Sequence, residues 1–296
     1  MNQGRVWREP LVQRLVRDHP GKTPEQVIEA YAEERLREAG QDRLPVDVDG
    51  IASLLGIRRR LGDLPFAGRV YVEPSGQLVM DLNAADPQPR RRFTCGHEIM
   101  HTAFPGFRRE ARYRSDESVG GFNGASGEEE LLCDLGAAAL LMPASLVRGR
   151  YSAVAGLRDM EALASNAGAS LEAAANRLVA LADQPVMFLV LESGHKPADV
   201  PALKRGEIVP KRLRVRYAVA AGVRTHVPRY KSADDDSVLV RALETAEIER
   251  GVEPLPGDAG GRPFEVQARE YRRHDDSGAV ARVLAFARHS GARKGS

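Results

Sequence analysis

Arg90-Arg-Arg-Phe-Thr-Cys-Gly-His-Glu-Ile-Met-His-Thr-Ala-Phe104 is the stretch whose reading decides the rest of the chain. It holds His97-Glu98-Ile99-Met100-His101, an H-E-x-x-H pattern. On a helix, His97 and His101 stand one turn apart on one face. Two imidazoles at that spacing suit a single zinc ion bound through ring nitrogens. Glu98 lies beside that face, free to take a proton from water activated by the metal. Phe93, Met100, Ala103 and Phe104 give the helix an apolar side. The plainer alternative is a surface helix that carries two histidines, and the rest of the chain has to decide.

A third ligand would decide it, because catalytic zinc sites keep three protein ligands and one open position. The segment Ser126-Gly-Glu-Glu-Glu130-Leu-Leu-Cys-Asp134-Leu-Gly-Ala-Ala-Ala-Leu-Leu-Met-Pro143 supplies a candidate. Ser126 with Glu129 three residues on reads as a capping box, and Pro143 closes the helix. Glu130, Asp134, Ala137 and Leu141 fall on one face. Glu130 is then the third ligand, and Asp134 accepts the free ring N–H of one histidine and fixes its tautomer. The small residues from Gly136 to Ala139 let a second helix come close. The alternative for Glu130 is a solvated carboxylate favoured by the helix dipole.

These motifs together resemble the ImmA/IrrE family of metallopeptidases. Arg92-Phe93-Thr94 leads into the histidine pattern, and Glu130-x-x-x-Asp134 and Leu140-Leu141-Met142-Pro143 follow. Upstream, Leu44-Pro45-Val46-Asp47-Val48, Ile51-Ala52 and Leu55-Gly56-Ile57 fit the same pattern. The resemblance runs from Leu44 to Leu191. It implies an α+β, zincin-like domain with one catalytic zinc held by His97, His101 and Glu130, and Glu98 as general base. It also implies a protein substrate, a helix-turn-helix transcriptional repressor whose cleavage relieves repression under stress. Two residues depart from the family pattern. Asp134 stands where many members have Asn and keeps the orienting role. Met100 stands where many have Gly and changes the packing behind the helix.

The chain has 296 residues, 43% of them hydrophobic, and a formal charge of +2. That is enough apolar material for a core, with no strong demand for nucleic acid or a membrane surface. Its two cysteines, Cys95 and Cys133, make no disulfide framework; close in sequence to the motif, they could report oxidation near the metal, and the commoner reading is buried small hydrophobes. No apolar run of membrane-spanning length and no signal peptide stand out, so the expected location is the cytoplasm. Arg58-Arg59-Arg60 and Arg90-Arg91-Arg92 read as solvated faces.

Residues 1–22 read as a polar tail and 23–143 as the metallopeptidase domain. In the latter, Thr23-Pro24-Glu25-Gln26 starts a helix that runs to Gly40, and a second helix covers Val48 to Leu55. Gly68–Val72 and Gln77–Asn83 form a hairpin around Glu73-Pro74-Ser75-Gly76, a type I turn. An edge strand beside the metal would bind extended substrate by β-augmentation, although the sequence does not say which strand is the edge. The charged segment from Gly106 to Gly127 reads as a loop over the cleft. Its Tyr113 is a candidate donor to the transition state, against the commoner role of a surface tyrosine.

Residues 144–193 read as a helix-turn-helix-like pair followed by a buried strand, Pro185–Leu191. The second helix offers Glu172, Asn176 and Arg177 among alanines, which disfavours direct DNA reading. Residues 194–210 read as a linker. Residues 211–290 read as a small α/β domain: strands at 213–219, 264–271 and 280–287 and a helix over 236–250. Its element order resembles a GAF-like sensor module with a small ligand. Residues 291–296 form a disordered tail. The competing function is a non-catalytic DNA- or partner-binding regulator with a structural metal. It needs a fourth protein ligand, and His195, His226, His274 and His289 lack ligand-like spacing to the motif.

Overall fold

The computed structural model describes residues 6–108, 127–258, 261, 263–275 and 278–289. It is a mixed α+β structure with two sheets. The chain divides into two compact units, Met1–Arg150 with Ala162–Arg177, and Tyr151–Glu161 with Leu178–Ser296.

The first unit begins with a helix, α1 (Pro10–Arg17). The sequence reading had placed these residues in a polar tail. Pro10 sets the first helical turn, and Val12 and Leu15, one turn apart, are fully buried. Burying two such side chains stabilises the fold by about 1.5–3 kcal/mol each. Next, α2 (Pro24–Glu38) starts with the expected reciprocal capping box between Thr23 and Gln26. Asp47 caps α3 (Val48–Leu54) by accepting from Asp49 and Gly50 N–H groups.

Three strands follow, β1 (Ile57–Gly62), β2 (Gly68–Val72) and β3 (Leu78–Asn83). Their order is β1-β3-β2, with β1 parallel and β2 antiparallel to the central β3. The β2–β3 hairpin turns at Glu73–Gly76, where the Gly76 N–H donates to the Glu73 carbonyl. The basic triplet Arg58–Arg60 lies on β1, and its charges are paired: Arg58 and Arg60 with Glu73, Arg59 with Asp49. All three arginines are exposed, as a solvated face requires, whereas in the second triplet Arg92 departs from that reading. Arg92 donates to the carbonyls of Val46 and Ala167, tying the start of the next helix to two distant segments.

That helix is α4 (Gln88–His101), and α5 (Gly127–Leu141) lies against it. The close approach uses small residues. A Cβ on Gly136 would come within 2.5 Å of Met100 Sδ and 2.7 Å of Ile28 Cγ2. Met100 therefore fills the space that Gly136 leaves, which is how the bulkier residue is accommodated behind the helix. On the other side of α4, a Cβ on Gly68 would come within 2.5 Å of Thr94 Cγ2. Strand β2 is thereby drawn onto the helix one turn before Glu98. Against the expectation of no such run, the stretch from Gly127 to Val147 is long and apolar enough to cross a membrane. Most of it is buried core helix, and its first turn carries three glutamates.

A short helix, α6 (Ala144–Val147), precedes the helical pair α7 (Leu157–Ala167) and α8 (Leu171–Ala180). Arg177 on α8 is buried and donates to the Met142 carbonyl and the Glu29 carboxylate. It is a structural tie, so this helix does not present that arginine to a nucleic acid.

The second unit holds a five-stranded antiparallel sheet in the order β5-β4-β8-β7-β6. Its strands are β4 (Val186–Gly194), β5 (Arg212–Ala221), β6 (Glu249–Glu253), β7 (Phe264–Asp275) and β8 (Gly278–His289). Val186–Leu191 are buried, as their unbroken apolar run suggested, and they lie inside this sheet. The expected linker contains a short helix, α9 (Val200–Lys204).

The helix expected over 236–250 stops early. It spans Val238–Thr245 (α10), and Ala246 takes a left-handed conformation that ends it. The chain then turns into edge strand β6, whose Glu253 accepts the Val238 N–H at the start of α10, 2.7 Å away. Leu239 and Ala242 pack with Leu189, Val215, Phe264 and Val283 to form this unit's core.

Candidate metal centre

The site is built where α4, α5 and β2 meet. His97 and His101 come from the last turns of α4, with ring centroids 5.0 Å apart. Each ring donates its Nδ1 proton to a carboxylate on α5. His97 Nδ1 lies 2.9 Å from Asp134 Oδ1, and His101 Nδ1 lies 2.8 Å from Glu129 Oε1. These bonds fix both tautomers, so each Nε2 carries a lone pair. Both Nε2 atoms point toward one carboxylate: His97 Nε2 is 3.1 Å from Glu130 Oε2, and His101 Nε2 is 3.6 Å from Glu130 Oε1.

Two lone pairs facing a carboxylate repel it unless positive charge lies between them. A proton meets that demand at His97. Burial opposes its protonation, but the bonds to Asp134 and Glu130 and the nearby Glu98 charge outweigh this and raise its pKa to about 10. A divalent cation bound by two imidazoles and one carboxylate meets the same demand, and that is the usual donor set for zinc. The residues present therefore fit the ion.

Glu98 is 2% exposed and sits next to the histidines. Burial pushes its carboxyl above the usual carboxylate range, opposed by His101, His97 and the Val70 N–H. The Val70 N–H comes from β2, which is an edge of its sheet. The edge strand beside Glu98 is thus β2.

Residues 57–179 match the family model described as Peptidase_M78, IrrE N-terminal-like domain. This segment is similar to an IrrE N-terminal-like domain. Among solved structures, a Mycobacterium tuberculosis transcriptional regulator is similar, with 16% identity and a TM-score of 0.56. The match covers 94% of this chain and 80% of that one, and at this identity it speaks for the fold alone. No curated protein matches the chain.

Within this segment, the structure brings together His97, Glu98, His101, Glu130 and Asp134, the residues expected at the site. Residues 109–126, which include Tyr113, most of the loop expected over Gly106 to Gly127, and Ser126, the expected cap of α5, lie outside the described residues.

The structure gives two residues a place at the site beyond their sequence reading. Glu129, read as half of a capping box, is 4% exposed and serves as the partner of His101. The signal was present, since Glu129 and Glu130 adjoin on one turn and two histidines need two orienting groups. The other is Cys133, whose Sγ lies within 4.8 Å of a ring nitrogen of both His97 and His101. It is fully buried, and burial with the charges of Glu129, Glu130, Glu98 and Asp134 pushes its thiol pKa well up. Cys95 is also buried, its pKa raised to about 12 chiefly by desolvation.

Proposed function

We propose that the chain is a zinc-dependent endopeptidase whose substrate is a helix-turn-helix transcriptional repressor. The observation that carries the enzymatic part is the convergence of His97, His101 and Glu130 beside the buried Glu98. Zinc held by those three residues supplies Lewis acidity toward a scissile carbonyl and acidifies water. Glu98 then takes a proton from the attacking water and hands it to the leaving amine. Its burial favours the second half of that cycle, because a desolvated carboxyl holds a proton more readily. Asp134 and Glu129 accept the Nδ1 protons and so leave the Nε2 of each imidazole facing the metal position. Edge strand β2 supports an extended substrate beside Glu98 through backbone hydrogen bonds.

The repressor substrate rests on the family resemblance. The second unit is read as the regulatory half, a GAF-like sensor by element order. A cleft of about 360 Å³ in it supports a small-ligand role. Val154, Val186, Val266 and Phe286 line the cleft, with Arg250 and Arg288 among its polar residues.

The test is incubation of the zinc-loaded chain with a candidate repressor, followed by mass measurement of the fragments. A single defined cut, abolished by a chelator and restored by zinc, is the expected result. An intact repressor under all conditions would count against the substrate.

One observation favours a second reading, a regulator with a structural metal. That reading needs a fourth protein ligand, and Cys133 is close enough to both histidines to be considered. A thiolate there would close the coordination sphere. Sulfur bound to the metal separates the two readings.

A further inference from the structure

We infer that Glu9 is a positioning residue for the metal site and that helix α1 clamps the glutamate helix α5. The inference rests on the zinc-site reading above and adds what holds that site in place.

Two helix N-termini meet here, and each is capped by a glutamate from the other segment. The Glu128 carboxylate accepts from the Arg8 and Glu9 N–H groups, with Oε2 2.9 Å from each nitrogen. In return, the Glu9 carboxylate accepts from the Glu128 and Glu129 N–H groups at 3.3 Å each. The first N–H groups of a helix have no partner within the helix, and a carboxylate there also meets the positive end of the dipole. Glu9 thus holds the first turn of α5, and Glu128 holds the two residues that lead into α1. Val12 and Leu15, both fully buried, anchor α1 so that Glu9 is held in place.

The turn of α5 that Glu9 holds is the turn that makes the site. Its three successive glutamates have three separate tasks. Glu128 binds α1, Glu129 orients His101, and Glu130 reaches both Nε2 atoms. Glu129 uses its backbone N–H toward Glu9 and its side chain toward His101. A shift of that turn moves the orienting carboxylate and the ligand carboxylate together. Loss of the Glu9 cap therefore weakens metal binding without touching any group that contacts the metal.

The experiment measures zinc affinity by chelator competition, and melting temperature with and without zinc, in the full chain. The variants are Glu9→Ala and Glu9→Gln. Glu9→Ala is expected to bind zinc roughly five- to tenfold more weakly, within what a lost helix cap costs and below the roughly 10- to 100-fold for losing a direct partner of a metal ligand. Glu9→Gln keeps one acceptor oxygen and should lose about threefold. The zinc-induced rise in melting temperature should shrink in the same order. A purely structural role would lower the melting temperature of the metal-free and zinc-loaded protein alike and leave zinc affinity at the wild-type value, which would overturn the proposal. If Glu9→Ala does not fold, Glu9→Gln decides alone, and wild-type affinity in it overturns the proposal. A wild-type chain that takes up no zinc would instead remove the metal-site reading, and this proposal with it.

Discussion

Glu98→Gln is expected to lower peptide-bond cleavage by about 10²- to 10⁴-fold, the usual contribution of a general base, while zinc binding persists. Glutamine nearly matches glutamate in shape, can still accept the Val70 N–H, and cannot take a proton from water. The replacement also removes a charge from a fully desolvated position, so the folded protein should be no less stable. Cleavage kinetics and metal analysis on one preparation check both halves. Undiminished cleavage in the variant would remove Glu98 from the reaction.

Glu130→Ala has the second large expected effect. Removing an orienting partner of a metal ligand costs about 10- to 100-fold in affinity, so removing a ligand itself should cost more than about 100-fold. The two Nε2 lone pairs would remain fixed by Asp134 and Glu129 but would lose the third donor that faces them. Chelator competition measures the change, and cleavage at limiting zinc should fall in parallel. Asp134→Asn is a useful comparison, because an amide oxygen can still accept the His97 Nδ1 proton. It should weaken zinc binding less than Glu130→Ala does.

The centre of the fold was legible because its spacing has one simple geometric meaning. Histidines four apart must share a helix face, and Glu130 and Asp134 four apart must share another. The helices that carry them were readable for the same reason, through Gly136 and the small residues after it. The bond from His101 to Glu129 was hidden because a capping box and an orienting carboxylate have the same local sequence, and only the position of His101 reveals the second role.

Helix α1 was missed because polar side chains dominate its composition. Yet Pro10 at the first turn and Val12 and Leu15 at helical spacing were visible. The strand Glu249–Glu253 was hidden because nothing local announces that Ala246 adopts a left-handed conformation. The helical periodicity before it seemed to continue. Cys133 could not be placed as a neighbour of both histidines until α4 and α5 were brought together. A helix interior gives no sequence signal for what its buried side chains face.

Zinc K-edge X-ray absorption on the zinc-loaded full chain tests the central claim most directly. The account predicts a first shell of nitrogen and oxygen only, with two imidazoles per metal, and loss of that shell in Glu130→Ala. Sulfur in the shell would place Cys133 on the metal and favour a closed, structural site, and a shell without imidazole would contradict the account altogether.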